Sequence, residues 1–181
     1  DTPMITQVLA AQTAEGKPKY MHGVNSLNDT ADPRALIRNA FTSQHDQNCM
    51  VVLAGPATNL AATLALPGVR NLVERKVRYL VMMGGDFSGN ASASPEANIK
   101  ADIAAARKVL ADWPTEVIFA GQEIGSAVPF PGAIIESDLT WSQAHPVADA
   151  YRASGTMPYD APSWDMTAML HAVRPGEKYF K

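Results

Sequence analysis

Asn90, Glu96 and Asn98 put three short oxygen-bearing side chains on one stretch of chain. Carboxylates and amides of this size suit the neighbouring hydroxyls of a sugar ring, because they accept hydrogen bonds and the amides also donate them. Glu96 and Asn98 are two residues apart, so in an extended segment they point to the same side, and Asn90 follows Gly89 on the same loop. The element that must position them lies just before. Val77 to Met83 is apolar and β-rich and stops at Gly84-Gly85, as a parallel strand of an α/β sheet does. Ligands of open α/β sheets gather at that end of the strands. Each residue also has a plainer reading. An Asn after Gly is a common turn residue, Glu96 after Ser94-Pro95 serves as a solvated loop acid, and Met83 is ordinary core packing.

The rest of the chain alternates helix and strand. Asp32-Pro33 caps a helix to about Gln44, with Leu36, Ile37, Ala40 and Phe41 on one face. A strand follows from Cys49 to Ala54, broken by Gly55-Pro56, and Thr58 or Asn59 caps a short apolar helix through Leu60 and Leu64 to Leu66. After Val77 to Met83, Asp102 caps a helix whose Ile103, Ala106, Leu110 and Trp113 form a stripe, ended by Pro114. A third strand, Glu116 to Ala120, closes at Gly121, and helices are expected at Ala133 to Glu136, His145 to Ala153 and Ser163 to Val173. The order predicts an α/β fold, a mostly parallel sheet flanked by helices, in a single domain over residues 1–181.

Composition narrows the function classes. With 181 residues, 46% hydrophobic and 18% charged, the chain is long enough for one sizeable core. A net charge of −3 with scattered Lys and Arg speaks against nucleic-acid binding. No apolar run approaches the roughly 18 residues of a membrane span, and the signal-peptide pattern missing from these residues says little about secretion, since the chain reads as starting inside its domain. Compartment, cytoplasmic or secreted, is left open. The single Cys49 excludes an intrachain disulfide and heads an apolar run, which favours a buried strand thiol over a nucleophile. Gly84-Gly85 to Gly89 lacks the glycine spacing of a dinucleotide site.

Near the C-terminus, Asp165 lies in the first turn of a helix, where the helix dipole alone favours a carboxylate. Trp164 has only an indole N–H donor, so it is no general acid; it stacks on an aromatic ligand or anchors helix packing. His171 is about 10 Å further along that helix, too far to stand in as an acid. His22, His45 and His145 read as loop or helix-end residues, Asp32 as a cap and Asp29 as a solvated acid.

Taken in order, Gly55-Pro56-Ala57-Thr58-Asn59, Met83-Gly84-Gly85, Gly89-Asn90, Glu96-Ala97-Asn98-Ile99 with Asp102, and Ser163-Trp164-Asp165 resemble the inosine-uridine preferring nucleoside hydrolase family. These matches run from about Leu53 to Pro175. The resemblance implies a Rossmann-like three-layer fold and hydrolysis of the N-glycosidic bond of ribonucleosides. It implies ribose contacts from Met83, Asn90, Glu96 and Asn98, a base contact from Trp164, and calcium ligands in the Asp165 carboxylate and the Thr58 main-chain carbonyl. The partner implied is a small ribonucleoside or related sugar, with homo-oligomerisation left open.

Two departures qualify the resemblance. The family's aspartate-rich motif at the end of its first strand, which holds calcium and activates water, has no counterpart, and the chain opens at Asp1-Thr2-Pro3-Met4. The sequence therefore reads as the C-terminal two-thirds of such a domain, incomplete at the N-terminus and inactive alone. A His commonly precedes the matching Asp in the family, where Trp164 stands here. A non-catalytic nucleoside or sugar binder is the alternative, and a fragment whose exposed sheet edge must pair with another segment is a third reading. Calcium prefers six to eight oxygens, and Asp165 with Thr58 supplies few of them. Calorimetric titration of the 181-residue chain is expected to show weak calcium binding or none; one tight site contradicts this.

Overall fold

The structure is a computed structural model and describes residues 3–89 and 95–179. Along the chain, α1 (Pro3–Ala10) and a 3-10 turn (Leu27–Asp29) precede α2 (Pro33–Thr42), β1 (Cys49–Ala54), α3 (Thr58–Leu64), α4 (Val69–Lys76) and β2 (Val77–Met83). Next come α5 (Ala97–Ala101), α6 (Ile103–Asp112), β3 (Glu116–Ala120), α7 (Gln122–Ala127) and β4 (Pro129–Phe130). The last elements are α8 (Gly132–Asp138), α9 (Pro146–Ser154), β5 (Ala161–Pro162) and α10 (Trp164–Val173). They form two compact units, one of Asp1–Thr30 with Pro129–Pro162 and one of Ala31–Val128 with Ser163–Lys181. Among the described residues no helix is long and apolar enough to cross a membrane.

The larger unit holds a parallel sheet in the order β1-β2-β3. Apart from Arg78, every residue of the central β2 is buried, which is why that strand reads as an almost unbroken apolar run. Alternation splits it between two cores. Leu80 and Met82 face a cluster with Phe41, Leu60, Ala61, Leu64, Val69, Val73, Ala105, Ala106, Val109 and Trp113, joined by Val51 and Leu53 of β1 and Val117 and Phe119 of β3. Tyr79, Val81 and Met83 face Ala168 and Ala172 of α10 with Val52 and Ile118. Helices therefore cover both faces, the expected α/β class. The three strands end level, Met83 pairing with Ala54 on one side and Ala120 on the other, and each is followed by a glycine: Gly55, Gly84 and Gly121.

At the opposite end of this sheet, Gln47 adopts a positive φ of 55° before β1. Its main-chain N–H donates to the Arg75 carbonyl at 3.1 Å, and its side-chain amide donates to the carbonyls of Glu74 at 2.9 Å and Arg75 at 3.2 Å. Those last-turn carbonyls of α4 lack helical donors, so Gln47 satisfies the helix end from outside.

The smaller unit packs α1 against α9, and its β4 and β5 form a two-residue antiparallel pair. Lys19 and Tyr20 both donate to the Asp149 carboxylate, at 2.5 Å and 2.7 Å, which ties the segment after α1 to α9. His145 is the N-cap of α9, its Nδ1 accepting from Ala148 N–H at 3.4 Å.

Several sequence expectations are corrected here. The stripe on α6 is not Ile103-Ala106-Leu110-Trp113, since Ile103 is 50% and Leu110 44% exposed; the buried face is Ala105, Ala106 and Val109, continued by Trp113. Small alanines let α6 pack closely against α3, so size outranks hydrophobicity in choosing its face. On α2, Leu36 is 56% exposed and only Phe41 is fully buried. Thr58 is not a cap but the first residue of α3, following N-cap Ala57. Replacing Leu80 by Ala should cost about 2–5 kcal/mol in urea unfolding, while Leu110→Ala should stay within about 0.5 kcal/mol. Equal losses would mean that α6 presents the other face.

Candidate active site

Glu96 is the best-anchored residue beyond β2. It is 5% exposed and forms the N-cap of α5. Its Oε1 accepts from Asn98 N–H at 2.8 Å, and its Oε2 accepts from Ile99 N–H at 2.9 Å and from Gly85 N–H at 3.3 Å. One carboxylate thus satisfies the first turn of a short helix and fastens that turn to the loop after the strand. Gly84 leaves room for the Ile99 side chain of that turn. A Cβ there would meet Ile99 Cδ1 at 3.2 Å and Glu96 Oε2 at 3.5 Å. The segment is a helix start and not extended, so Glu96 and Asn98 are brought together by capping geometry, a correction to their expected strand-like alternation.

Asn98 reaches back to the strand end. Its Nδ2 donates to the Met83 carbonyl at 3.3 Å and approaches Met83 Sδ at 3.1 Å, which leaves Oδ1 as an acceptor. Met83, Glu96, Ala97, Asn98, Gln122, Trp164 and Asp165 line one hollow of about 130 Å³ beside these strand ends. That is small beside the roughly 300–1,000 Å³ of pockets for drug-sized ligands. The loops around it are stitched together: Gly84 N–H donates to Ala120 O at 3.2 Å, and Gln122 N–H to Gly85 O at 2.9 Å.

Asp165, in the first turn of α10, brings a second carboxyl to the hollow. Its residue is open to solvent overall, yet partial burial of the carboxyl and then the charge of Glu96 raise its pKa above the ordinary 3.8. Trp164, 41% exposed, stands beside it. Thr58 does not line this hollow. Its hydroxyl donates to Asp102 Oδ2 at 2.7 Å, and Asp102 in turn caps α6 by accepting from Ala105 N–H at 2.9 Å. Asn90 lies outside the described residues. Cys49 is half-buried at the start of β1, and burial pushes its thiol up, away from nucleophile behaviour. Sequence reasoning missed Gln122. Its position just beyond Gly121, at the end of the strand beside β2, was the available signal.

Carboxylate oxygens suit a hard cation, but Asp165 and Glu96 fall short of the six to eight oxygens calcium prefers. Among the described residues no group of three Asp, Glu, His or Cys side chains gathers to hold a metal. These residues alone do not fit a calcium shell.

The chain belongs to the inosine-uridine preferring nucleoside hydrolase family, whose model matches residues 2–180. That family is generally metal-dependent. Among solved structures the chain is similar to an inosine-uridine preferring nucleoside hydrolase from Bacillus anthracis, at 21% identity and a TM-score of 0.58, covering 77% of this chain and 47% of that one. It is also similar to a purine-preferring ribonucleoside hydrolase from Gardnerella vaginalis, at 21% identity and a TM-score of 0.64, covering 95% and 56%. A plant nucleoside hydrolase gives 24% identity and a TM-score of 0.60 over 91% and 58%. At such identities the likeness establishes the fold. The chain spans about half the length of these solved relatives. No curated protein matches the sequence.

The raised Asp165 pKa has a definite sign. A folded-state pKa above the unfolded 3.8 means that ionisation costs more in the fold, so the penalty is absent at low pH and grows as pH rises through 3.8 to the folded value. Asp165→Asn should therefore raise the unfolding temperature at pH 7, with the gain shrinking below pH 4. A gain that persists unchanged at low pH would show another cause.

Proposed function

We propose that this chain carries the sugar-holding side of a ribonucleoside hydrolase site. The observation that carries this reading is the single hollow lined by Met83, Glu96, Asn98, Trp164 and Asp165 at the C-terminal ends of a parallel sheet. The family membership supports it, and the relatives whose printed names are inosine-uridine and purine-preferring hydrolases point to inosine and uridine as first substrates.

Each residue has a role in this reading. Asn98 Oδ1 and the lone pairs left on Glu96 accept from ribose hydroxyls, while Met83 packs against the ring. Trp164 offers an indole face to the base; such stacking is worth roughly 1–3 kcal/mol in nucleic-acid-binding proteins. Breaking the N-glycosidic bond builds positive charge on the ribose, and the fixed carboxylates of Glu96 and Asp165 stabilise that charge as it develops. Asp165 is also one oxygen towards a divalent cation, which would need further oxygens from elsewhere. For that reason the chain alone turns over little substrate. The shortage of cation oxygens among the described residues favours a second reading, a nucleoside or sugar binder without catalysis.

Calorimetric binding of inosine and uridine, run beside a reducing-sugar assay for released ribose, separates the readings. Saturable binding is expected, weakened about three- to tenfold by Asn98→Ala, which removes a neutral acceptor worth about 0.5–1.5 kcal/mol, and about tenfold or more by Glu96→Gln, since hydrogen bonds to charged groups are worth about 1.5–3 kcal/mol. No binding, or unchanged affinity in both variants, would remove the hollow from the site. Slow ribose release that appears on adding calcium would favour the hydrolase site, because a binder releases none.

A further inference from the structure

Helix α7 touches the hollow at one end and the indole of Trp164 at the other. Gln122, its first residue, lines the hollow; Gly125 and Ser126 lie one turn on. A Cβ on Gly125 would collide with the Trp164 main chain at Cα and N and with Cδ1 of its ring. Only a glycine lets the start of α10 come so close. The same junction is closed by Ser163 N–H, which donates to the Gly125 carbonyl at 3.0 Å and to the Val128 carbonyl at 3.2 Å.

Ser126 completes the contact. Trp164 Nε1–H donates to Ser126 Oγ at 3.1 Å, and Ser126 Oγ–H donates to the Gln122 carbonyl at 2.9 Å. Because the hydroxyl proton is spent on Gln122, the lone pairs of Oγ are turned to the indole. The chain of donors runs one way, from indole to hydroxyl to helix carbonyl. With the ring N–H held and its edge seated on Gly125, the rotation of Trp164 is restricted although the residue is 41% exposed.

We infer that Gly125 and Ser126 are positioning residues that fix the Trp164 indole as the aromatic wall of the hollow and so make it select ligands with a flat ring attached to the sugar over the sugar alone. This rests on the ribonucleoside reading given above. Neither residue touches the ligand in it. Their effect passes through Trp164, and a preordered wall binds a planar group without first losing rotamer freedom.

The test has a part that needs no ligand. In ¹⁵N-labelled protein the indole N–H of Trp164, assigned by its loss in Trp164→Phe, should exchange slowly with solvent, exchange faster in Ser126→Ala, and recover in Ser126→Thr, which keeps the hydroxyl. In parallel, affinities for inosine and for ribose are measured on each protein. Ser126→Ala should weaken inosine about three- to tenfold, the range for ordering one side chain on binding, and leave ribose within twofold. Gly125→Ala should act in the same direction, and circular dichroism shows whether either variant is folded. An unchanged indole exchange rate in folded Ser126→Ala overturns the inference whatever binds. Faster exchange with an unchanged inosine-to-ribose ratio overturns the selective role of the wall. A wild-type chain that binds neither ligand brings down the ribonucleoside reading itself, while the exchange data still report on the Ser126 contact.

Discussion

The hydrogen bonds received by the Glu96 carboxylate are the constraint on which the rest of this site depends. Three main-chain N–H groups, from Gly85, Asn98 and Ile99, converge on its two oxygens. None of the three would have a helical or strand partner otherwise, because Asn98 and Ile99 lie in the first turn of α5 and the loop after β2 leaves the sheet. An acid is the residue type that can take all three, having no proton to give and several lone pairs to offer. The consequence reaches the ligand side: with Glu96 fixed, Asn98 is fixed, and its amide is held against Met83 at the end of the most buried strand of the fold. Local chain geometry and binding geometry are the same set of bonds.

Burial of β2 supplies the stiffness behind that arrangement. A strand covered on both faces and paired on both edges is hard to shift, so a group hydrogen-bonded to its last carbonyl inherits its position. The flanking strands end at the same level, and Gly55, Gly84 and Gly121 turn their loops away at once. Asp165 approaches from α10 rather than from a strand loop, and its elevated pKa reflects partial burial first and the charge of Glu96 second. Proximity of two carboxylates is costly unless something positive comes between them or charge forms there during a reaction. Such tension between paired acids is common where function is present, although ion-pair networks also produce it.

Much of this was legible in the residues, and the failures have physical causes. All three parallel strands were read with their observed limits because β-branched and apolar runs bounded by glycine leave little ambiguity. Glu96, Asn98, Met83, Trp164 and Asp165 were singled out, and the structure gathers them around one hollow. Helix α4 was not foreseen; VRNLVERK is mostly polar, and it is held by two buried valines and an external cap rather than by an apolar stripe. Helix α7 was missed since a glycine sits in its middle, a residue that weakens helices in isolation and is explained only by the Trp164 backbone lying on it. The two-residue pairing of β4 with β5 places prolines in strand positions, which no local pattern signals. The Thr58 hydroxyl joins the N-termini of α3 and α6 through Asp102, a side-chain link separate from the main-chain carbonyl that the resemblance assigns to calcium.

Gln47 divides the sheet into two ends with different tolerances. By closing the last turn of α4 from the segment that leads into β1, it binds together the points where β1 and β2 begin. The foundations of the sheet are thereby clamped through main-chain carbonyls, independently of anything bound at its rim. Substitutions around the rim are free to alter which ligand is accepted without undermining the strands, whereas a change at position 47 would loosen the base and leave the chemistry of the rim untouched.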